Sequence, residues 1–404
     1  MSARESGIVR KTYNRKFVEQ DVHEATRDRM KHLYAMFDRI VVSFSGGKDS
    51  TVVLNLALEA ARELKRLPLE VHFYDEECIS EDTEAYLNRV RANPEIELVW
   101  WCAPVKHRNA CSRREPYWYC WNPAERDKWV RPMPEGAQTT MPGFKRGMMI
   151  PDCSHLPFKG KSSTVGFLRG IRTQESLRRL RLSTMKPIDN YIHQHEHARN
   201  VWLCDPIYDW MFEDVWVAPS RFGWDYNHTY DRFEAMGLKH NDQRVCPPFG
   251  EEPLALLHTW AICYPDLWHK MIARVPGVAT GGRYALTELY GHHIDRPPEG
   301  LTWREWTFRV IDLYKEPWRS YVATAVKGAI EMHQRKTQRP IDDSVSDPMS
   351  GVSWRWLAQI ALKGDFKGRK TGGLLNQATN EQKRRGMTLE QVIALEPDND
   401  GTRY

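Results

Sequence analysis

The stretch Ser43-Phe-Ser-Gly-Gly-Lys-Asp-Ser-Thr51 brings together residue types able to hold an anion. Two adjacent glycines allow a tight turn and let a ligand approach the backbone closely. Lys48 offers an ammonium group, and Ser45, Ser50 and Thr51 offer hydroxyl donors. Asp49 is the odd member, since a carboxylate beside phosphate is tolerable when it holds a cation such as Mg²⁺. The run Ile40–Phe44 is apolar and β-branched, the pattern of a buried parallel strand. Val52, Val53, Leu54, Leu56, Ala57 and Leu58 predict a helix continuing to about Lys65. A helix starting there turns its unpaired N–H groups and positive dipole end toward the loop. Ser43, Ser45, Gly46, Gly47, Lys48, Asp49 and Ser50 are therefore expected to cradle a phosphate, with Lys48 and Asp49 catalytic and Asp49 the Mg²⁺ ligand. The common P-loop order is excluded, because Lys48 is followed by Asp49 and no glycine stands five residues before Gly47.

Other elements must bring partners to this loop. Leu69–Tyr74 reads as a second strand, ending in Asp75-Glu76-Glu77. Ligands of open α/β sheets gather beyond the carboxyl ends of the strands. Asp75 and Glu77 are thus expected near the same crevice, on Mg²⁺ or a ribose hydroxyl, or else as the acidic start of a helix. A helix over about 80–92 and a strand over 97–101 follow. A fourth strand, Thr164–Leu168, runs into Arg169-Gly-Ile-Arg172 and a helix from Thr173 that carries Glu175. Guanidinium groups at that point can fork onto phosphate or sulfate oxygens. Arg169, Gly170, Arg172 and Glu175 join the expected nucleotide contacts, with Arg172 catalytic.

Residues 102–160 are Pro-rich, aromatic and basic, and read as a long loop of the kind that is usually functional. Cys102, Cys111, Cys120 and Cys153 with His155 suit either a zinc knot or buried thiols. His193, His195 and His197 alternate, so they would share a face only on a strand. With 41% hydrophobic and 27% charged residues the chain reads as globular, and no apolar run approaches the roughly 20 residues that span a bilayer. The polar first residues do not resemble a signal peptide. A cytoplasmic protein, in a bacterial or phage-infected cell, with reduced cysteines and no membrane partner is expected. The net charge of +5 is unevenly placed. Trp101–Pro187 holds 17 Lys and Arg against 6 Asp and Glu, and Gly351–Gly386 holds 8 against 2. Such segments suit nucleotide, DNA or RNA, or are solvated faces.

Ser45-Gly-Gly-Lys-Asp-Ser50 resembles the pyrophosphate loop of the N-type ATP pyrophosphatase superfamily, which includes the phosphoadenosine phosphosulfate (PAPS) reductases. The likeness extends through Gly170-Ile-Arg-x-x-Glu-Ser176, Pro206-Ile-Tyr-Asp-Trp210, Asp214-Val-Trp216, Asn227-x-x-Tyr230 and Gly237, spanning about residues 35–250. The Glu-Cys-Gly-Leu-His tail of the reductases is not found, nor are the paired cysteines of the adenylyl-sulfate enzymes. Gln243-Arg-Val-Cys-Pro-Pro-Phe-Gly250 and a helical extension follow instead. That arrangement is similar to the phage- and plasmid-borne branch that includes the immunoglobulin-binding regulator coactivators, whose common neighbour is a ParB-like protein.

The resemblance implies a Rossmann-like, adenine nucleotide alpha hydrolase-like parallel sheet with helices on both faces, plus a mainly helical C-terminal domain. The expected boundaries are a basic lead-in over 1–34, a nucleotide-binding domain over 35–250 and a helical domain over 251–404. ATP or a related adenine nucleotide with Mg²⁺ is the expected ligand, attacked at the α-phosphorus with release of pyrophosphate. Two other expectations stand beside it: sulfur chemistry on a PAPS-like nucleotide with Cys246 as the redox thiol, and a nucleotide-dependent coactivator acting with a ParB-like partner. The extension's tryptophans either build a core or, with Lys363, Lys367, Arg369 and Lys370 nearby, stack on bases.

Overall fold

In this computed structural model the described residues are 18–184, 189–240, 242–250, 253–284, 297–366, 368–388 and 391. Lys367 lies outside them. Their strands are β1 (Arg39–Phe44), β2 (Leu69–Tyr74), β3 (Ile96–Trp101), β4 (Lys106–Arg108), β5 (Tyr117–Tyr119), β6 (Val165–Leu168), β7 (Ile192–His195) and β8 (Ala198–Cys204). The chain divides into two compact units. The first takes the chain up to Tyr74, Asp82–Trp101 and Ser154–His228; the second takes Asp75–Glu81, Cys102–Cys153 and the chain from Thr229.

The first unit is built on a sheet of order β3-β2-β1-β6-β8-β7. Its pairs are parallel except β7–β8, which is antiparallel and puts a reversed strand at the edge of the otherwise parallel sheet. Consecutive Ile40, Val41 and Val42 in β1, and all four residues of β6, are buried, so both faces of the central strands are covered. The sequence predicted β1, β2, β3 and β6 to within a residue. The β7–β8 pair went unpredicted as a hairpin because its residues alternate in polarity and include histidines rather than forming an apolar run.

β1 sits between β2 and β6, which is where the order of the sheet reverses direction. Helix α1 (Val22–Met36) starts at Asp21, whose carboxylate accepts from the Glu24 N–H at 2.8 Å. Helix α2 (Lys48–Glu63) follows β1 and buries Val52, Val53, Leu54 and Leu56. Gly47 stands at its N-cap, and no side chain caps it. Helix α3 (Glu81–Ala92) contributes Thr83 and Tyr86 to the interior.

The second unit contains the short β4–β5 hairpin, antiparallel and centred on His107 and Trp118, inside the segment expected to be a loop. Its helices Trp303–Asp312, Trp318–Lys336, Trp354–Lys363 and Leu374–Arg385 share a core of Val310, Val322, Val326, Leu357, Ile360 and Leu374. Trp306, Trp318, Trp354 and Trp356 pack against that core, and Trp260 and Trp303 are themselves buried. These six tryptophans are thus core-building residues. No helix among the described residues is long and apolar enough to cross a membrane.

Candidate functional site

The loop between β1 and α2 is held in shape from several directions within the first unit. Gly46 has φ +70°, a left-handed conformation that favours glycine. Asn227, 1% exposed, donates from Nδ2 to the Gly46 carbonyl at 3.0 Å and to Thr83 Oγ1 at 2.9 Å. Ser50 Oγ accepts from the Ser45 N–H at 3.2 Å, donates to the Gly47 carbonyl at 2.9 Å and lies 3.0 Å from Ser45 Oγ. Ser50 and the Ser45 hydroxyl therefore brace the turn. Behind them, Thr51 Oγ1 lies 3.0 Å from the buried Tyr86 hydroxyl. Ser43 is one register step back, inside β1 opposite His72.

The segment after β6 closes on the same point. A Cβ added to Gly170 would lie 2.8 Å from both the Asp49 carbonyl carbon and the Ser50 nitrogen, so glycine there lets two backbones touch. Arg172, 4% exposed, donates from Nε to Asp49 Oδ1 at 2.5 Å and from a terminal nitrogen to Gln174 Oε1 at 3.1 Å. Gln174 Oε1 also accepts from the Phe212 N–H at 2.6 Å, tying Arg172 to the start of the helix Phe212–Phe222. From that helix the Trp216 ring lies 5.8 Å from Lys48 Nζ, which is 3.9 Å from the Asp49 carboxylate. Asp214 caps the helix by accepting from the Met211 N–H at 2.7 Å.

Lys48, Asp49, Gly170 and Arg172 thus come together at the reversal point of the sheet, the usual ligand crevice of such folds. Arg169 instead forks onto Asp205 at 2.9 and 3.0 Å. Glu175 pairs with Arg179 and lies 3.9 Å from Arg172. Asn227, Gln174 and Trp216 are part of the site without having been assigned a role from sequence. Asn227 and Trp216 sit in segments that resemble the reductases, which was the available signal; Gln174 carried none.

Asp75 and Glu77 belong to the second unit, where both are buried. Asp75 pairs with Arg131 and accepts from the Glu77 N–H at 2.8 Å. Glu77 accepts from Arg274 at 2.7 and 3.0 Å, from the Trp121 N–H at 2.6 Å and from the Val130 N–H at 3.3 Å. Apart from the Glu77 N–H on Asp75, the guanidinium and backbone groups these carboxylates bind lie 44 to 197 residues away in sequence.

Cys78, Cys102, Cys111, Cys120 and Cys153 are free and buried. Burial pushes their thiols up, those of Cys111 and Cys153 to about 12. Cys246 is exposed. His155, His195 and His197 cluster in the first unit with ring centroids 4.2 to 6.2 Å apart, and burial followed by the His197 charge lowers the His195 pKa. Among the described residues no group of three or more His, Cys, Asp or Glu is arranged to hold a metal ion.

The sequence signature of the phosphoadenosine phosphosulfate reductase domain matches residues 39–241, half of the chain. The chain belongs to that family. A domain of unknown function, DUF3440, matches residues 237–346, beginning where the family's domain ends. The uncharacterized protein YbdN of Escherichia coli (strain K12) is 28% identical over 373 residues, covering 86% of this chain and 89% of YbdN. Among solved structures, the chain is similar to the FMN adenylyltransferase of Candida glabrata at 14% identity and a TM-score of 0.31. That likeness covers 52% of this chain and 58% of the transferase, less than two thirds of it. The PAPS reductase of Candida auris, solved with phosphate, has 13% identity and a TM-score of 0.30, over 53% of this chain and 86% of the reductase.

Proposed function

We propose that the first unit binds ATP, or a closely related adenine nucleotide, and cleaves it between the α- and β-phosphates to adenylate an acceptor. The observation that carries this reading is the meeting of the uncapped start of α2 with Gly170 and Arg172 at the reversal of the sheet. Phosphate oxygens would take the loop N–H groups and Lys48, and Arg172 would meet the charge that develops as pyrophosphate leaves. Binding to the Arg172–Gln174 relay orients the guanidinium, so little reorganisation is needed during the reaction.

The donor set fits Mg²⁺ through one protein carboxylate. Asp49 is partly exposed in the first turn of α2, and Mg²⁺ commonly binds through one or two carboxylates plus phosphates and water. Mg²⁺ would supply charge neutralisation on the phosphate oxygens. Asp75 and Glu77 are left out of the proposed ligand set because Arg131 and Arg274 hold them.

Family membership supports a second reading, sulfur chemistry on a PAPS-like nucleotide. Cys246 is the thiol to test for it, since it is exposed while the thiols of five other cysteines are suppressed by burial.

The deciding experiment incubates the protein with ATP, Mg²⁺ and candidate acceptors and separates the products. AMP and pyrophosphate support adenylation; ADP and phosphate refute it. Lys48→Ala with Asp49→Ala should weaken ATP binding at least tenfold, about 1.4 kcal/mol. Thiol-dependent sulfite release from PAPS that disappears in Cys246→Ser would install the second reading instead.

A further inference from the structure

The helix Leu374–Arg385, in the second unit, has an outer face that its own packing does not explain. It buries Leu374, Ala378 and Glu381. Its inner side rests on the Asp347–Gly351 turn: a Cβ on Gly351 would lie 1.8 Å from the Leu374 carbonyl oxygen, and Gln382 donates to the Pro348 carbonyl at 2.6 Å. Outward it presents Leu375, Asn376, Thr379, Asn380 and Lys383, all exposed and spaced as one helical stripe.

Negative charge is withdrawn from this surface. Glu381 is the sole carboxylate in the sequence from Gly368 to Thr388, and it is buried between Arg384 and Arg385 at 2.7 and 2.6 Å. Asp365, 4% exposed, accepts from the Lys370 and Thr371 N–H groups at 2.8 and 2.7 Å. Asp347 in the supporting turn is buried and pairs with Arg339 at 2.8 Å. Arg369, Lys383, Arg384 and Arg385 remain exposed at the two ends of the stripe. A helix that is merely solvated usually mixes both signs of charge along its outer face.

Amides, a hydroxyl, a lysine and an apolar side chain are the groups that read base edges. Asn pairs with adenine, Lys or Arg with guanine, and an apolar group meets the thymine methyl. Leu375, 56% exposed, supplies the last of these. Twelve residues make a helix about 18 Å long, and the B-DNA major groove, roughly 12 Å wide, admits one.

We infer that Leu374–Arg385 is a docking helix for duplex DNA. It enters the major groove with Asn376, Thr379, Asn380 and Lys383 toward the bases, while Arg369 and the arginines at its C-terminal end meet phosphates. In the other basic segment, Trp101–Pro187, Arg108 and Arg131 are by contrast buried and bonded to neighbours within their own unit.

The test uses the full chain and a fluorescein-labelled random 30-base-pair duplex, followed by anisotropy across a salt series. Wild type should bind at 50 mM salt, with affinity falling as salt rises. Arg369→Glu with Arg385→Glu should weaken binding at least tenfold and lower the slope of log affinity against log salt by about 2, as expected for two lost phosphate contacts. Asn376→Ala with Asn380→Ala should keep that slope but lose base preference in selection from a random duplex library. Circular dichroism of each variant checks that the fold is kept. No binding at 50 mM salt, equal binding by the charge-reversed variant, or tighter binding to single-stranded RNA of the same length would each overturn the inference.

Discussion

Replacing Arg274 by alanine should destabilise the second unit by about 3–5 kcal/mol, the usual cost of leaving one member of a buried ion pair behind. The structure supports the upper part of that range. The Arg274 side chain is 1% exposed and that of Glu77 is 0% exposed, so neither can turn to water. Without Arg274, Glu77 keeps its bonds to the Trp121 and Val130 N–H groups but loses the guanidinium that pairs with its carboxylate. The Tyr119 carbonyl also loses a donor at 2.7 Å. Glu125, its third partner, is 36% exposed and can rehydrate, so that contact adds little. Urea unfolding followed by tryptophan fluorescence measures the loss, and limited proteolysis should show cleavage first within 102–153. Arg274→Met combined with Glu77→Gln should cost clearly less than the two single losses added together, because no charge is then stranded. A single-variant loss below about 1 kcal/mol, or strict additivity in the cycle, would refute the account of this pair.

Gly170→Ala should lower ATP affinity at least tenfold while leaving the fold intact, since its Cβ would press on the backbone of Asp49 and Ser50; calorimetry on the folded variant checks this. The buried thiols predict a loss of stability in alkali. Their folded pKa values are raised above the ordinary value of 9.0, so above that pH the unfolded chain releases thiol protons that the folded chain retains. Stability is therefore complete below about pH 9 and falls toward pH 12, and unfolding midpoints that stay flat over that window would contradict it. In the same folded protein Cys246 should react with a thiol reagent well before the six buried cysteines, as mass spectrometry of the labelled peptides would read.

The elements that position the loop were legible because they are locally encoded. Ile40–Val42 and Val165–Leu168 are short apolar runs with the pattern of buried strands, and Gly46-Gly47 marks the turn between strand and helix. Roles set by distant partners were not legible. Asp75 and Glu77 follow a strand in the position where ligand-binding acids stand, yet their partners Arg131 and Arg274 lie far along the chain. A charge count is equally blind to distant partners. The excess of Lys and Arg over 101–187 includes Arg108, Arg131 and Arg172, all buried, and Arg169, held by Asp205. A charge total does not distinguish a cation facing solvent from one serving as an internal bond.

The Arg172–Asp49 pair links these observations to the proposed chemistry. Arg172 is too buried to rehydrate, so its guanidinium can leave Asp49 only for another anion. If nucleotide phosphates take Arg172, Asp49 loses part of its countercharge at that moment and becomes a better ligand for Mg²⁺. Nucleotide and cation would then bind cooperatively through one salt bridge, each strengthening the other by the same factor. The order Gly-Gly-Lys-Asp acquires a physical sense on this view. The carboxylate next to Lys48 is neutralised by Arg172 without ligand, and would be neutralised by Mg²⁺ with one.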